Sequence, residues 1–219
     1  EAAIVEDGGC AAAMREVEAW RTHPQGRSVA REPIVHRAGG TTGPDLVIGE
    51  PGRPLRGLRV LDLTRVLAGP IATRFLGGLG ADVVRVDPPD WDEPSIVPEV
   101  TRGKRCARLD LRSEPGRDQL AELLATAHVV VHGYRPGALA RLGFDDEQRA
   151  AQAPGLVDVS LDAYGWTGPW AGRRGFDSLV QMSSGIAAEG MRSTGAQRPT
   201  PLPVQALDHA TGHLVAAAV

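Results

Sequence analysis

The chain has 219 residues, 42% of them hydrophobic and 23% charged, with a formal net charge of -3. This is the balance of a water-soluble globular chain with material for one good-sized domain and an extension, and it offers no positive field for nucleic acid or an anionic membrane. The start, EAAIVEDGG, lacks a basic leader region, the apolar run His213–Val219 is far too short for a membrane span, and two cysteines, Cys10 and Cys106, fit a reducing cytoplasm rather than a disulfide framework.

In chain order, CAAAMREVEAW (10–20) places Ala12, Met14, Val17 and Trp20 at helical spacing, which predicts a helix ended by HPQG. The stretch REPIVHRAGGTTGPDLVIGEPGRP is punctuated by proline and glycine and reads as an irregular linker. From Leu55 the pattern alternates. Strand LRVLDL (58–63) leads to a helix opening at Pro70 with Gly80 beyond its end, and strand ADVVRVD (81–87) follows. A long acidic, proline-rich loop (88–103) is then expected to be mobile or functional. Next come strand RCARLDL (105–111), helix 114–127, strand HVVVHGY (128–134), a short helix PGALARLG, another starting near Asp145, and strand 155–165. DSLVQMSSGIAAEG predicts one helix, and TPLPVQALDHATGHLVAAAV an extended piece entering a helix near Asp208. Strands alternating with helices of this length predict an α/β domain: a Rossmann-like, mostly parallel sheet flanked by helices. The chain begins at Glu1 without a methionine and stops at Val219 inside a helical pattern, which reads as a fragment or part of a larger protein.

The motifs narrow the chemistry. A dinucleotide fingerprint needs glycines directly after the first strand, where the backbone approaches a pyrophosphate. Here that turn is TRVLAGP, and the cluster GGLG (77–80) lies at a helix C-terminus, whose dipole repels phosphate. NAD and FAD binding by this loop is therefore disfavoured, and no P-loop is present. His209 and His213 are four apart beside Asp208, but a zincin requires Glu where Ala210 stands, and no Cys-x-x-Cys exists, so no metal site is expected. Lys104 is the single lysine against 23 arginines, so arginine abundance by itself does not indicate phosphate binding. Asp208 follows the apolar run PVQAL at the mouth of a helix. It is either a structural N-cap or an oriented, ionised carboxylate able to act as a nucleophile; spacing leaves both open.

Taken together, LRGLRVLDLTRVLAGPIATRFLGGLGADVVRVDPP, RGKRCARLDLRSEPGRDQL, AHVVVHGYRPGALARLGF, PGLVDVSLDAYGWTGPWAGRRGFDSLVQMSSG and ALDHATGHL resemble, in order and in register, the family III CoA-transferases of the CaiB/BaiF type, over about residues 55–219. The resemblance implies an interlocked homodimer, coenzyme A and acyl-CoA as substrates rather than resident cofactors, and a carboxylic acid as acceptor. It implies that Asp208 attacks the thioester to give a mixed anhydride and then an aspartyl-CoA thioester. It places CoA against Leu67 and Ala68, Leu109, Asp110, Leu111 and Arg112, Tyr134 and Arg135, Arg141, and Arg173, Arg174 and Phe176. Arg112 and Arg141 are the favoured phosphate ligands. Racemases of the family carry histidine where this chain has Phe176, which cannot take a proton, so racemisation is the weaker alternative. A catalytically silent CoA-binding subunit is the third reading. The implied division is 1–52, an N-terminal extension or small-domain remnant plus linker, and 53–219, a large domain truncated at its C-terminal end. EAWRTHPQGRSVAREP is similar to a segment near the end of the family's small domain.

Overall fold

The structure, a computed structural model, describes residues 1–40, 42–43 and 46–219; Thr41, Pro44 and Asp45, within the stretch read as linker, lie outside the described residues. The elements run α1 (Ala2–Glu6), α2 (Val17–Thr22), α3 (Pro24–Val29), β1 (Arg59–Leu63), α4 (Ala68–Gly78), β2 (Asp82–Asp87), α5 (Val97–Val100), β3 (Lys104–Arg108), α6 (Glu114–Thr126), β4 (Val129–His132), α7 (Asp146–Gln152), β5 (Val157–Ser160), α8 (Asp177–Ser184), α9 (Ile186–Thr194) and α10 (Ala206–Ala218). Single turns of 3-10 helix cover Ala140–Leu142 and Pro203–Gln205.

The described chain forms two compact units. One compact unit comprises Glu1–His36 and Asp162–Leu207, the other Arg37–Leu161 and Asp208–Val219.

The second unit holds a five-stranded sheet in the order β3-β2-β1-β4-β5, with every pair parallel. Each central strand is buried on both faces, which is why the strands read as near-continuous apolar runs. Val60, Val83, Val129 and Val131 pack on one side with Ala72 and Leu76 of α4 and Val215 of α10. Leu61, Leu63, Val86 and Val130 point the other way onto Leu120 and Leu124 of α6. This alternation is the period-two geometry of a strand. The strand order reverses at β1, between β2 on one side and β4 on the other, and ligands of open parallel sheets bind at the carboxyl ends of the strands flanking such a switch point.

The first unit is helical. Its N-terminal residues are tied to the segment Tyr164–Trp170 by the buried Gln25, whose amide nitrogen donates to the Tyr164 and Thr167 carbonyls at 2.6 and 2.8 Å and whose oxygen accepts the Trp170 N–H at 2.7 Å. Glu32 accepts the N–H groups of Trp166 and Thr167. The helix expected over 10–20 is confined to Val17–Thr22: the Arg15 N–H bonds the Met182 carbonyl at 3.0 Å and the Ala13 N–H the Glu1 carboxylate at 3.2 Å, so neither enters a helical ladder. The helix expected over 177–190 is two, α8 and α9, separated by the left-handed Gly185.

Candidate active site

The site grows from the end of β1. Asp62 is fully buried, and its carboxylate accepts the Thr64 N–H at 2.9 Å, the Thr73 hydroxyl at 2.6 Å and the Lys104 ammonium at 2.8 Å. Lys104, likewise without exposed side-chain surface, also donates to the Pro70 carbonyl at 2.9 Å and to Thr73 at 2.7 Å. Burial lowers the ammonium's pKa, against the opposing pull of the Asp62 charge. The lone lysine is thus a structural cation that fastens the first turn of α4 to the sheet. Gly69 is required by the same turn, since a Cβ there would meet the Thr64 side chain at 2.3 Å.

Between Thr64 and α4 the chain turns sharply, with Val66 at a φ of 66°. The long acidic loop braces this turn. Glu93 accepts the Val66 N–H at 3.3 Å and lies 3.4 Å from the buried Arg85, while Ile96 and Val100 pack with Val66, Leu67 and Ile71. Leu67 and Ala68 are consequently buried, at 6% and 8% exposure. Arg85 also grips Asp87 through two bonds of 2.8 and 3.0 Å; burial opposes its charge, but the bonds and the charges of Asp87, Asp62 and Glu93 prevail and raise its pKa.

On the α6 face of the switch point lies an open cavity of about 220 Å³. Leu109, Asp110, Leu111, Arg112 and Tyr134, five of the expected CoA contacts, line it. Arg65, Asp87, Asp90 and Leu142 also line it, and were not anticipated. The signal for Arg65 was its place, two residues past the end of the central strand. Arg112 is engaged: its guanidinium donates to Asp110 at 2.8 Å and lies 3.9 Å from Asp90. That hydrogen bond lowers the Asp110 pKa and raises that of Arg112. Arg135 and Arg141 are exposed and are not among the lining residues.

Arg173, Arg174 and Phe176 fall in the other unit. Arg173 donates to the Glu1 carboxylate and to the Ala11 carbonyl, each at 2.6 Å, and its guanidinium carbon lies over Trp170, 3.9 Å from the ring centroid. Arg174 donates to the Gly8 carbonyl at 2.8 Å, and Phe176 is 48% exposed at the start of α8. Glu1, though burial favours its neutral form, is held down to a pKa of about 2 by Arg15 and Arg173.

Asp208 is the third residue of α10 rather than its N-cap, because a 3-10 turn at Pro203–Gln205 brings the helix start forward to Ala206. Val204 and Gln205 enter that start with φ of 56° and 48°, a region that costs an ordinary side chain roughly 1–2 kcal/mol. The N-terminal N–H of Leu207 is received by the buried Asp177 at 2.8 Å, and Gln181, one turn along α8, receives the Leu202 N–H at 2.6 Å. The D-x-x-x-Q spacing of Asp177 and Gln181 was the sequence signal for this clamp. From Asp208, α10 runs beside α4. A Cβ on Gly212 would lie 2.7 Å from the Ala68 carbonyl oxygen and 2.8 Å from Ile71, and further along His213 meets Phe75 and Val215 joins Ala72 and Leu76. Asp208, one turn before Gly212 on the same side, therefore stands at the level of the β1–α4 turn.

Among the described residues no group of three or more His, Cys, Asp or Glu is placed to hold a metal ion, and no helix is long and apolar enough to cross a membrane.

The sequence profile of CoA-transferase family III matches residues 55–219. A probable fatty acyl-CoA transferase of Mycobacterium tuberculosis is 35% identical over 183 residues, covering 77% of this chain and 46% of that protein. The mouse succinyl-CoA:glutarate CoA-transferase is 37% identical over 175 residues, covering 73% and 39% respectively. The crystal structure of a CaiB/BaiF family protein from Brucella suis superposes with a TM-score of 0.67 at 32% identity, over 76% of this chain and 48% of that one. The chain thus spans less than half the length of these relatives. With the family profile running through every strand of the sheet, the β1–α4 turn and Asp208, the chain belongs to CoA-transferase family III.

Proposed function

We propose that the protein carrying this chain moves CoA from an acyl-CoA to a carboxylic acid, with Asp208 as the covalent nucleophile. The observation that carries this reading is the seating of Asp208, through Gly212, beside the β1–α4 turn on one face of the switch point, while the cavity opens on the other face. A CoA molecule with its nucleotide in that cavity passes its pantetheine arm over the turn towards the carboxylate.

In the reaction, an Asp208 carboxylate oxygen adds to the thioester carbonyl. The C–S bond breaks and CoA leaves as thiolate, giving an acyl-aspartyl anhydride. The thiolate then attacks the aspartyl carbonyl and expels the donor acid as carboxylate, leaving an aspartyl-CoA thioester. The incoming carboxylate attacks that thioester, thiolate departs again, and its attack on the new anhydride's acyl carbon yields the product acyl-CoA and free Asp208. No proton need be removed from carbon, which agrees with Phe176 standing where a racemase has its histidine. On this reading the active form is an interlocked homodimer in the cytoplasm, with CoA entering as substrate.

The test is to incubate the intact protein with a panel of acyl-CoAs and quench with hydroxylamine. A hydroxamate mass shift on the Asp208 peptide, absent in Asp208→Ala, is expected, with CoA affinity largely retained in the variant. Turnover surviving Asp208→Ala, or exchange of the α-hydrogen without any adduct, would overturn the assignment.

A further inference from the structure

We infer that Arg65 is the residue that holds a phosphate of the CoA nucleotide, in place of the more obvious Arg112; the inference rests on the CoA-transfer reading above. Two arginines line the cavity and a third lies beneath it, and they differ in what they already hold. Arg85 is committed to Asp87 and Glu93. Arg112 is committed to Asp110 and faces Asp90, so a phosphate reaching it displaces a carboxylate first. Arg65 makes no ion pair among the described residues. Its guanidinium instead lies 4.8 Å from the Trp91 ring centroid and 5.7 Å from that of Tyr134.

Contact with two aromatic rings is what makes this cation useful. The rings meet the guanidinium without using its N–H groups as a carboxylate would, so its donors stay available. They also restrict the side chain before ligand arrives, which reduces the entropy lost on binding. A guanidinium with free donors matches two phosphate oxygens at once, and no ion pair among the described residues has to be broken first. Its place on the turn after the central strand puts it where the nucleotide cavity meets the path of the pantetheine arm. Asp87, the carboxylate at the end of β2 that would otherwise oppose an anion, is covered by Arg85 from below.

The experiment is isothermal titration of the intact protein with CoA, dephospho-CoA and pantetheine, comparing wild type with Arg65→Met and Arg65→Lys. Arg65→Met is expected to weaken CoA by about tenfold or more while pantetheine is unaffected, and Arg65→Lys to recover part of the loss. If dephospho-CoA keeps its affinity for Arg65→Met, the contact is to the 3′-phosphate; if it weakens in parallel, the contact is to the pyrophosphate, and either pattern supports the assignment. CoA binding to Arg65→Met within about twofold of wild type would overturn the role of Arg65 and leave the CoA-transfer reading intact. Wild-type protein that binds no CoA would overturn both. Thermal melts of the two variants separate misfolding from lost contact, and the Arg65→Lys comparison stands if the methionine variant fails to fold.

Discussion

The Asp177 carboxylate accepts the N–H of Leu207, the residue immediately before Asp208, at 2.8 Å. A helix start leaves its first N–H groups without partners, and here a buried side chain 30 residues earlier supplies one. Asp177→Ala leaves that N–H unsatisfied in a partly buried setting and is expected to cost about 1 kcal/mol in urea denaturation. Turnover should fall further than stability, because the first turn of α10 carries Asp208, the proposed nucleophile. Unchanged stability and unchanged kcat together would show that the bond does not hold the helix start.

Gly212 is the contact that sets how closely α10 approaches α4. A methyl group there meets the Ala68 carbonyl oxygen, a backbone atom that cannot rotate away. Gly212→Ala is expected to destabilise by about 1–3 kcal/mol despite the better helix propensity of alanine, and to lower kcat by displacing Asp208. Hydroxylamine trapping reports the second effect directly. A variant as stable and as active as wild type would mean the helices separate at no cost.

Much of this fold was legible in the sequence. Buried parallel strands announce themselves as apolar runs, and Val60–Leu63, Val83–Val86 and Val129–Val131 did so. What was not legible depends on partners remote in the chain. Arg173 looks like any exposed arginine of the GRRGF block until Glu1, 172 residues away, is found bonded to it. Ala12 and Met14 have helical spacing, yet the carbonyl of Met182 draws Arg15 out of the ladder. Asp208 was expected three positions outside its true helical position because nothing in the local propensities of Val204 and Gln205 favours a left-handed turn. Of the residues lining the cavity, the Leu109–Arg112 block and Tyr134 were named from the resemblance. Arg65 was missed because its importance lies in the carboxylates it lacks, a property of space and not of spacing.

The Asp62–Lys104 pair predicts an asymmetric mutational response. Lys104→Met leaves a fully buried carboxylate without its cation and is expected to cost about 3–5 kcal/mol. Removing both charges, as in Asp62→Leu with Lys104→Met, should recover part of that loss, although Thr64 and Thr73 lose their acceptor. A double-mutant cycle by chemical denaturation measures the coupling. Additive single losses would show that the pair is not the fastening of α4.

Asp158 governs part of the acid limb. Burial alone would raise its carboxyl, but His132 Nε2 at 3.3 Å and the Arg149 guanidinium bring it below the ordinary aspartate value. A carboxylate depressed in the folded state binds its proton more readily in the unfolded one. Its contribution is therefore fully present above the unfolded value of about 3.9 and is lost as pH falls through the lower folded value. Asp158→Asn should flatten the stability profile below about pH 4 while lowering stability near pH 7, where the buried Arg149 loses a partner. An acid limb identical to wild type in Asp158→Asn would place the titration elsewhere.

Asp90 should work against the anionic ligand. Its side chain is 70% exposed at the rim of the cavity and lies 3.9 Å from Arg112, so it both repels phosphate and occupies the cation. Asp90→Asn removes one negative charge without removing packing. CoA affinity is expected to rise about two- to fivefold at low ionic strength, the scale of an exposed charge contact, and the gain should shrink towards nothing at about 0.5 M salt as the charges are screened. Pantetheine, which lacks the phosphates, should bind Asp90→Asn and wild type alike. Titrations at the two salt concentrations check both halves of the expectation. A salt-independent change would trace the effect to altered shape at the rim, and weaker CoA binding at low salt would mean that Asp90 helps to position Arg112 for the nucleotide.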